Sequence, residues 1–144
     1  MIAAIGLLMV SAVAAIELTS HDFDGNFKMD VPKNASIKKT DSDGFLETAV
    51  CYEDSANHIN ITYDDDLEVT NEFVKQTIDK LKKAGAKVTT KDKTSIVKSD
   101  HYTDVIFYDG NKFLMVESEQ VDADTLESMV NSTQFWKDMH EKLV

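Results

Sequence analysis

Polar and apolar residues alternate along several short segments of the chain, with the period of two that is typical of β-strands. Phe27, Met29 and Val31 alternate with charged residues, and Pro32 should end this strand because proline has no amide hydrogen to donate. Residues 57–63 alternate in the same way. Further strands are predicted at residues 37–40, 45–52, 87–90, 94–98, 102–108 and 112–121.

A period near 3.6 residues appears in two places and predicts two helices. The first has an apolar stripe at Val74, Ile78 and Leu81, with Thr70 as a candidate N-cap and Gly85 as a candidate stop. The second starts at Asp122 or Asp124 and continues through Leu126, Met129 and Val130.

The order of these elements predicts the fold class. Asp109-Gly110-Asn111 separates two predicted strands, as in a tight β-hairpin. Strands, a helix, more strands and a closing helix follow one another, which favours an α+β domain. We expect an antiparallel sheet of about five or six strands covered by helices, similar to an α/β/α sandwich, in a single domain spanning residues 17–144.

The first 16 residues hold no charged side chain. They are short for a membrane span, which needs roughly 20 apolar residues, and they suit the apolar region of a secretory signal. Ala12-Val13-Ala14 fits the small residues that precede a cleavage site. Residues 1–16 are therefore predicted to be a signal peptide or a short membrane anchor, and the protein to be secreted or extracytoplasmic.

The charge balance excludes some partners. The 144 residues carry 26 acidic and 15 basic side chains, for a net charge of −11, and every basic one is lysine. Nucleic-acid binding is not expected, because phosphate contacts need a basic surface. Three N-x-S/T sequons, beginning at Asn34, Asn60 and Asn131, agree with an exterior location.

The densest acidic segment is a candidate metal site. Asp64, Asp65 and Asp66 are consecutive, and carboxylates favour hard cations such as calcium. Neighbouring residues on a strand point to opposite faces, so a turn would be needed to bring all three together. The alternative interpretation is a solvated loop before the first helix.

Two other acidic segments are predicted to be turns. Each contains the D-x-D-G pattern found in an EF-hand loop, at Asp22–Gly25 and at Asp41–Gly44. The glutamate required at position twelve would be Val31 or Val50. The calcium-binding pattern is therefore incomplete in both places.

The histidines and the cysteine give weaker indications of chemistry. His21 with Asp22 and Asp24, or His101 with Asp104, could meet at a metal through folding. Scattered surface histidines are the alternative.

Cys51 lies in an apolar strand followed by Glu53 and Asp54, without a histidine in its own segment. We expect a buried free thiol that behaves as a small hydrophobic residue, or a cysteine that bridges to another chain.

The layout of the chain resembles the PsbP-like domain family. The resemblance rests on Phe27-Lys28-Met29-Asp30-Val31-Pro32-Lys33, the paired strands around one middle helix, the Asp109-Gly110 hairpin and the closing Leu126–Ser132 helix. It spans residues 25–136. It implies an α/β/α sandwich, frequent export and accessory or assembly roles, and it supplies no catalytic residues.

Together these features predict a small exported or cell-surface accessory or interaction domain that is not an enzyme and needs no cofactor. A protein partner is expected, with membrane contact only through residues 1–16. Neighbouring Phe135 and Trp136 would diverge on a helix, so one of them is a candidate partner contact. The alternative is a protein that binds a divalent cation or a small ligand through its acidic loops.

Overall fold

The computed structural model describes residues 16–42, 45–51, 58–65, 71–110 and 112–133. Nine strands and two helices lie within these residues. In chain order they are β1 (Leu18–Phe23), β2 (Phe27–Pro32), β3 (Ser36–Ser42), β4 (Phe45–Cys51), β5 (His58–Asp64), α1 (Asn71–Lys83), β6 (Lys87–Lys91), β7 (Thr94–Lys98), β8 (Thr103–Tyr108), β9 (Phe113–Ser118) and α2 (Ala123–Asn131).

Seven strands form one sheet in the order β3-β4-β5-β9-β8-β7-β6, and β1 and β2 form a separate hairpin. All neighbouring strands are antiparallel. The middle of the sheet joins the two halves of the chain, because β5 pairs with β9. The α+β class and the antiparallel sheet that the sequence predicts are therefore confirmed.

The sheet is larger than the predicted five or six strands, and helices cover less of it than in a helical sandwich. The edge strands β3 and β6 coincide with predicted strands and add to the width of the sheet, although β6 is mostly exposed. On one face α2 shares the cover with the β1–β2 hairpin. The sequence missed β1, because Leu18–Phe23 lacks a clear apolar alternation.

The two faces of the sheet carry different cores. The larger core lies under the hairpin and α2, and alternation on β5 places Ile59, Ile61 and Tyr63 in it. The smaller core lies under α1, where Val74 packs with residues of β7, β8 and β9. Partly buried Ile78 of α1 completes the stripe that predicted this helix.

The helix ends agree with the sequence. Gly85 follows α1 with a φ of +97°, a conformation that suits glycine. Asp122 is the N-cap of α2. Thr70, Phe135 and Trp136 lie outside the described residues. Within the described part of the chain, no helix is long and apolar enough to cross a membrane.

Candidate functional site on the polar side of the sheet

The face of the sheet that contacts α1 changes character from one side to the other. Under α1 it is apolar. Towards β3 it becomes polar, and we call this region the polar half-face. Lys38, His58 and Asn60 are exposed there, whereas Cys51 and Glu117 are partly buried. Strand register sets this arrangement, since Asn60 lies opposite Glu117. The members of the polar half-face are Lys38, Cys51, His58, Asn60 and Glu117.

A thiol and an imidazole meet on the polar half-face. Cys51 lies opposite His58 in the register of β4 and β5, and its Sγ is 3.0 Å from His58 Nδ1. The expectation that this thiol is buried is wrong. Cys51 is partly exposed, and the fold brings in a histidine seven residues away. The alternation of residues 57–63 did place His58 opposite the apolar face, as observed.

The backbone of His58 is fixed from the strand beside it. The buried Ser118 hydroxyl donates a 2.9 Å hydrogen bond to the His58 carbonyl oxygen. The same hydroxyl oxygen accepts hydrogen bonds from the amides of Gln120 and Val121. One side chain thus ties the start of β5 to the turn that leads into α2.

A pair of carboxyl groups lies beside Asn60. Asp104 of β8 is opposite Glu117 of β9 and is only 3% exposed. Burial, then a hydrogen bond with Glu117 and the charge of that residue, raise the pKa of Asp104 to about 8. Its Oδ1 has no hydrogen-bond partner among the described residues. Burial therefore favours the protonated form of Asp104, which can donate a hydrogen bond to Glu117.

This pairing differs from the candidate pairing of Asp104 with His101. His101 is exposed in a turn, where its amide donates a hydrogen bond to the Ser99 hydroxyl. Asp104 instead hydrogen-bonds to Glu117 on the neighbouring strand. The partner of Asp104 is therefore set by the register of the β8–β9 hairpin and not by closeness in the sequence.

The turn predicted at residues 22–25 lies at residues 24–26, because Asp22 and Phe23 still belong to β1. Asp22 Oδ1 accepts a 2.8 Å hydrogen bond from the Gly25 amide. Asp24 forms an ion pair with Lys39 of β3. The His21 ring instead packs edge-on against a phenylalanine ring. Only the ion pair joins the hairpin to the sheet. Among the described residues, His21, Asp22 and Asp24 form no group placed to hold a metal.

The acidic segment lies at the far end of β5. Asp64 is the last residue of β5 and is partly buried, Asp65 is exposed, and Asp66 lies outside the described residues. Burial, followed by the charges of Asp65, Asp109 and Asp64, raises the pKa of Tyr63 to about 12. The sequence did not point to Asp109 as a neighbour. Among the described residues, no group of three or more His, Cys, Asp or Glu side chains is placed to hold a metal.

A cleft of about 310 Å³ opens between α1 and strands β7 and β8. Lys75, Asp79 and Lys82 of α1 line one side, and Asp92 and Lys93 of the β6–β7 turn line another. Its volume lies at the lower end of the range for small-ligand sites. No sequence motif indicated it, because it depends on how α1 lies across the sheet.

The comparisons with known proteins assign no family and no function to the chain. No family model matches the chain, and no curated protein matches it. The structure is similar to the solution structure of cyanobacterial PsbP (CyanoP) from Synechocystis sp. PCC 6803. The TM-score is 0.49 at 9% identity, over 86% of this chain and 95% of that chain. This neighbour comes from the family that the layout of the chain resembles, and the likeness carries no inference about function.

Proposed function

We propose that the protein is an exported, non-catalytic binding domain that contacts a protein partner through its polar half-face. The observation that supports this is the exposure of Lys38, His58 and Asn60 together on the sheet. α1 packs on the apolar side of the same face. Side chains of both charges beside an amide offer directional contacts to a partner surface.

Export is part of the proposal and rests on the charge-free residues 1–16 and the sequons. Asn34 is exposed outside the polar half-face, as an acceptor asparagine must be in a folded glycoprotein. Tracking a C-terminally tagged full-length protein through cell fractions tests the location. Recovery of the uncleaved chain in the cytoplasm alone would contradict export.

Partner contact is tested with a matched pair of variants. Asn60→Arg places a long charged side chain on the polar half-face, and Thr89→Arg does so at an exposed position of edge strand β6. Both should fold. We expect the wild type and Thr89→Arg to enrich the same protein from envelope extracts, and Asn60→Arg to lose it. Equal enrichment by all three proteins would contradict the proposal.

A second candidate is a small anionic ligand in the cleft beside α1. Lys75, Lys82 and Lys93 line this cleft against two aspartates, a local excess of positive charge on a chain of net charge −11. Citrate is a suitable probe, because its carboxylates can meet several lysines. We expect citrate to raise the unfolding temperature of the wild type and of Lys98→Glu, whose lysine is exposed outside the cleft, and not that of Lys75→Glu. An equal rise in the unfolding temperature of all three proteins would exclude the cleft as the citrate site.

A further inference from the structure

The chain contains one cysteine, and it is paired with a base. Cys51 Sγ lies 3.0 Å from His58 Nδ1, and His58 is exposed to solvent. A nucleophile with a basic group within hydrogen-bond distance is the arrangement that activates thiols. With its ring proton on Nε2, a neutral His58 can accept the thiol proton at Nδ1.

Neighbouring contacts keep the pair together. The register of β4 and β5 places the two residues opposite each other. Across the next strand, Ser118 holds the His58 backbone by its hydrogen bond to the carbonyl oxygen. The sheet therefore fixes the backbone that carries the imidazole directly beside the backbone that carries the thiol.

The chemistry of the pair favours a covalent partner over a metal. Zinc sites in proteins use three or four protein ligands. No third His, Cys, Asp or Glu side chain completes a metal-binding group with Cys51 and His58 in the part of the chain that the structure describes. A thiol with one base needs only an electrophile in order to form a covalent bond. In an oxidising exterior compartment, disulfides are the common sulfur electrophiles.

We propose that Cys51 undergoes thiol–disulfide exchange with an external disulfide, with His58 as the base. The Cys51 proton moves to His58 Nδ1, and the sulfur attacks one sulfur of the disulfide. A new S–S bond forms to Cys51 as the old S–S bond breaks, and the departing thiolate recovers a proton. Cys51 is oxidised and the departing sulfur is reduced. Because the chain has no second cysteine, only an external thiol, such as the departing one, can resolve the mixed disulfide. Until that happens the disulfide attaches the protein to its partner.

The test follows adduct formation by intact mass on the reduced full chain. The probes are oxidised glutathione and a peptide closed by a single disulfide. At pH 7 we expect His58→Gln to react about tenfold more slowly than the wild type, because glutamine cannot take the proton. The matched control is His101→Gln, which changes an exposed histidine in a turn and should react at the wild-type rate. Cys51→Ser should form no adduct.

Two further readouts keep the outcome clear. Circular dichroism and unfolding midpoints of both histidine variants should match those of the wild type, and the alkylation rate with iodoacetamide should show the same dependence on His58. Faster exchange with glutathione would indicate a small disulfide, and faster exchange with the peptide a protein disulfide. Equal rates for the wild type and His58→Gln with every reagent would overturn the proposal. That failure would leave the partner-contact proposal intact, because the Asn60→Arg comparison does not depend on the thiol.

Discussion

Asp104 lies directly opposite Glu117 on strands β8 and β9, and the two carboxyl groups share a hydrogen bond. The two side chains differ in exposure, since Asp104 is buried and Glu117 is partly buried. Burial of the deeper residue, followed by the hydrogen bond and the charge of Glu117, raises the pKa of Asp104 to about 8. A buried acid can be kept neutral in this way without an opposite charge.

The first prediction concerns the pH dependence of stability. The pKa of Asp104 rises from an ordinary value of 3.8 in the unfolded chain to about 8 in the folded protein. Between these values the folded state binds more protons, so the stability contributed by this group is complete below pH 4 and is lost as the pH rises towards 8. Between pH 5 and about pH 8, the unfolding free energy of Asp104→Asn should therefore decrease less than that of the wild type.

Urea unfolding at several pH values measures this difference, with Glu119→Gln as the control because Glu119 is exposed. The control should follow the wild-type profile. If Asp104→Asn lost stability over the same range and to the same extent as the wild type, Asp104 would not be the titrating group.

The second prediction concerns the buried hydroxyl of Ser118. Ser118→Ala removes one hydrogen bond to the His58 carbonyl and leaves the amides of Gln120 and Val121 without their acceptor. We expect a loss of about 1–3 kcal/mol in unfolding free energy, the cost of unsatisfied buried polar groups. Ser128→Ala, on the exposed side of α2, should change it by less than about 0.5 kcal/mol. Equal effects in urea unfolding would contradict this role.

The third prediction concerns the packing of α2. Leu126 is fully buried in the larger core, so Leu126→Ala should cost about 2–5 kcal/mol of unfolding free energy. Asp124→Ala changes an exposed residue of the same helix and should cost far less. A small effect of Leu126→Ala would mean that α2 contributes little to the core, and chemical denaturation distinguishes the two cases.

The fourth prediction concerns the acidic segment. If Asp64, Asp65 and Asp66 hold a divalent cation, calcium at about millimolar concentration, which is typical of extracellular modules, should release heat and raise the unfolding temperature. The triple asparagine variant should show neither effect. A titration of the wild type without heat or thermal shift would remove the cation alternative.

Much of the fold could be predicted from local patterns. The alternation along β5 and the stripe of α1 identified both elements, and Asp109-Gly110 identified the β8–β9 hairpin. Each of these signals is complete within a few neighbouring residues. The β1 strand has no such signal, because its exposure pattern is mixed and its pairing with β2 is what makes it a strand.

The candidate site could not be predicted in the same way. Cys51 and His58 meet because β4 and β5 are in a particular register, and a shift of one residue would move each side chain to the opposite face. Asp104 and Glu117 depend equally on the register of their hairpin. Composition shows that these residues exist, whereas only the pairing of strands shows which of them are neighbours.

The 2.8 Å hydrogen bond from the Asp30 amide to the Ser132 hydroxyl joins residues 102 positions apart. It links β2 to the end of α2, and both contribute to the larger core. The larger core can therefore close only after residue 132 has been synthesised. Until then the hairpin of β1 and β2 lacks the helix that packs beside it, so this side of the sheet folds late in synthesis.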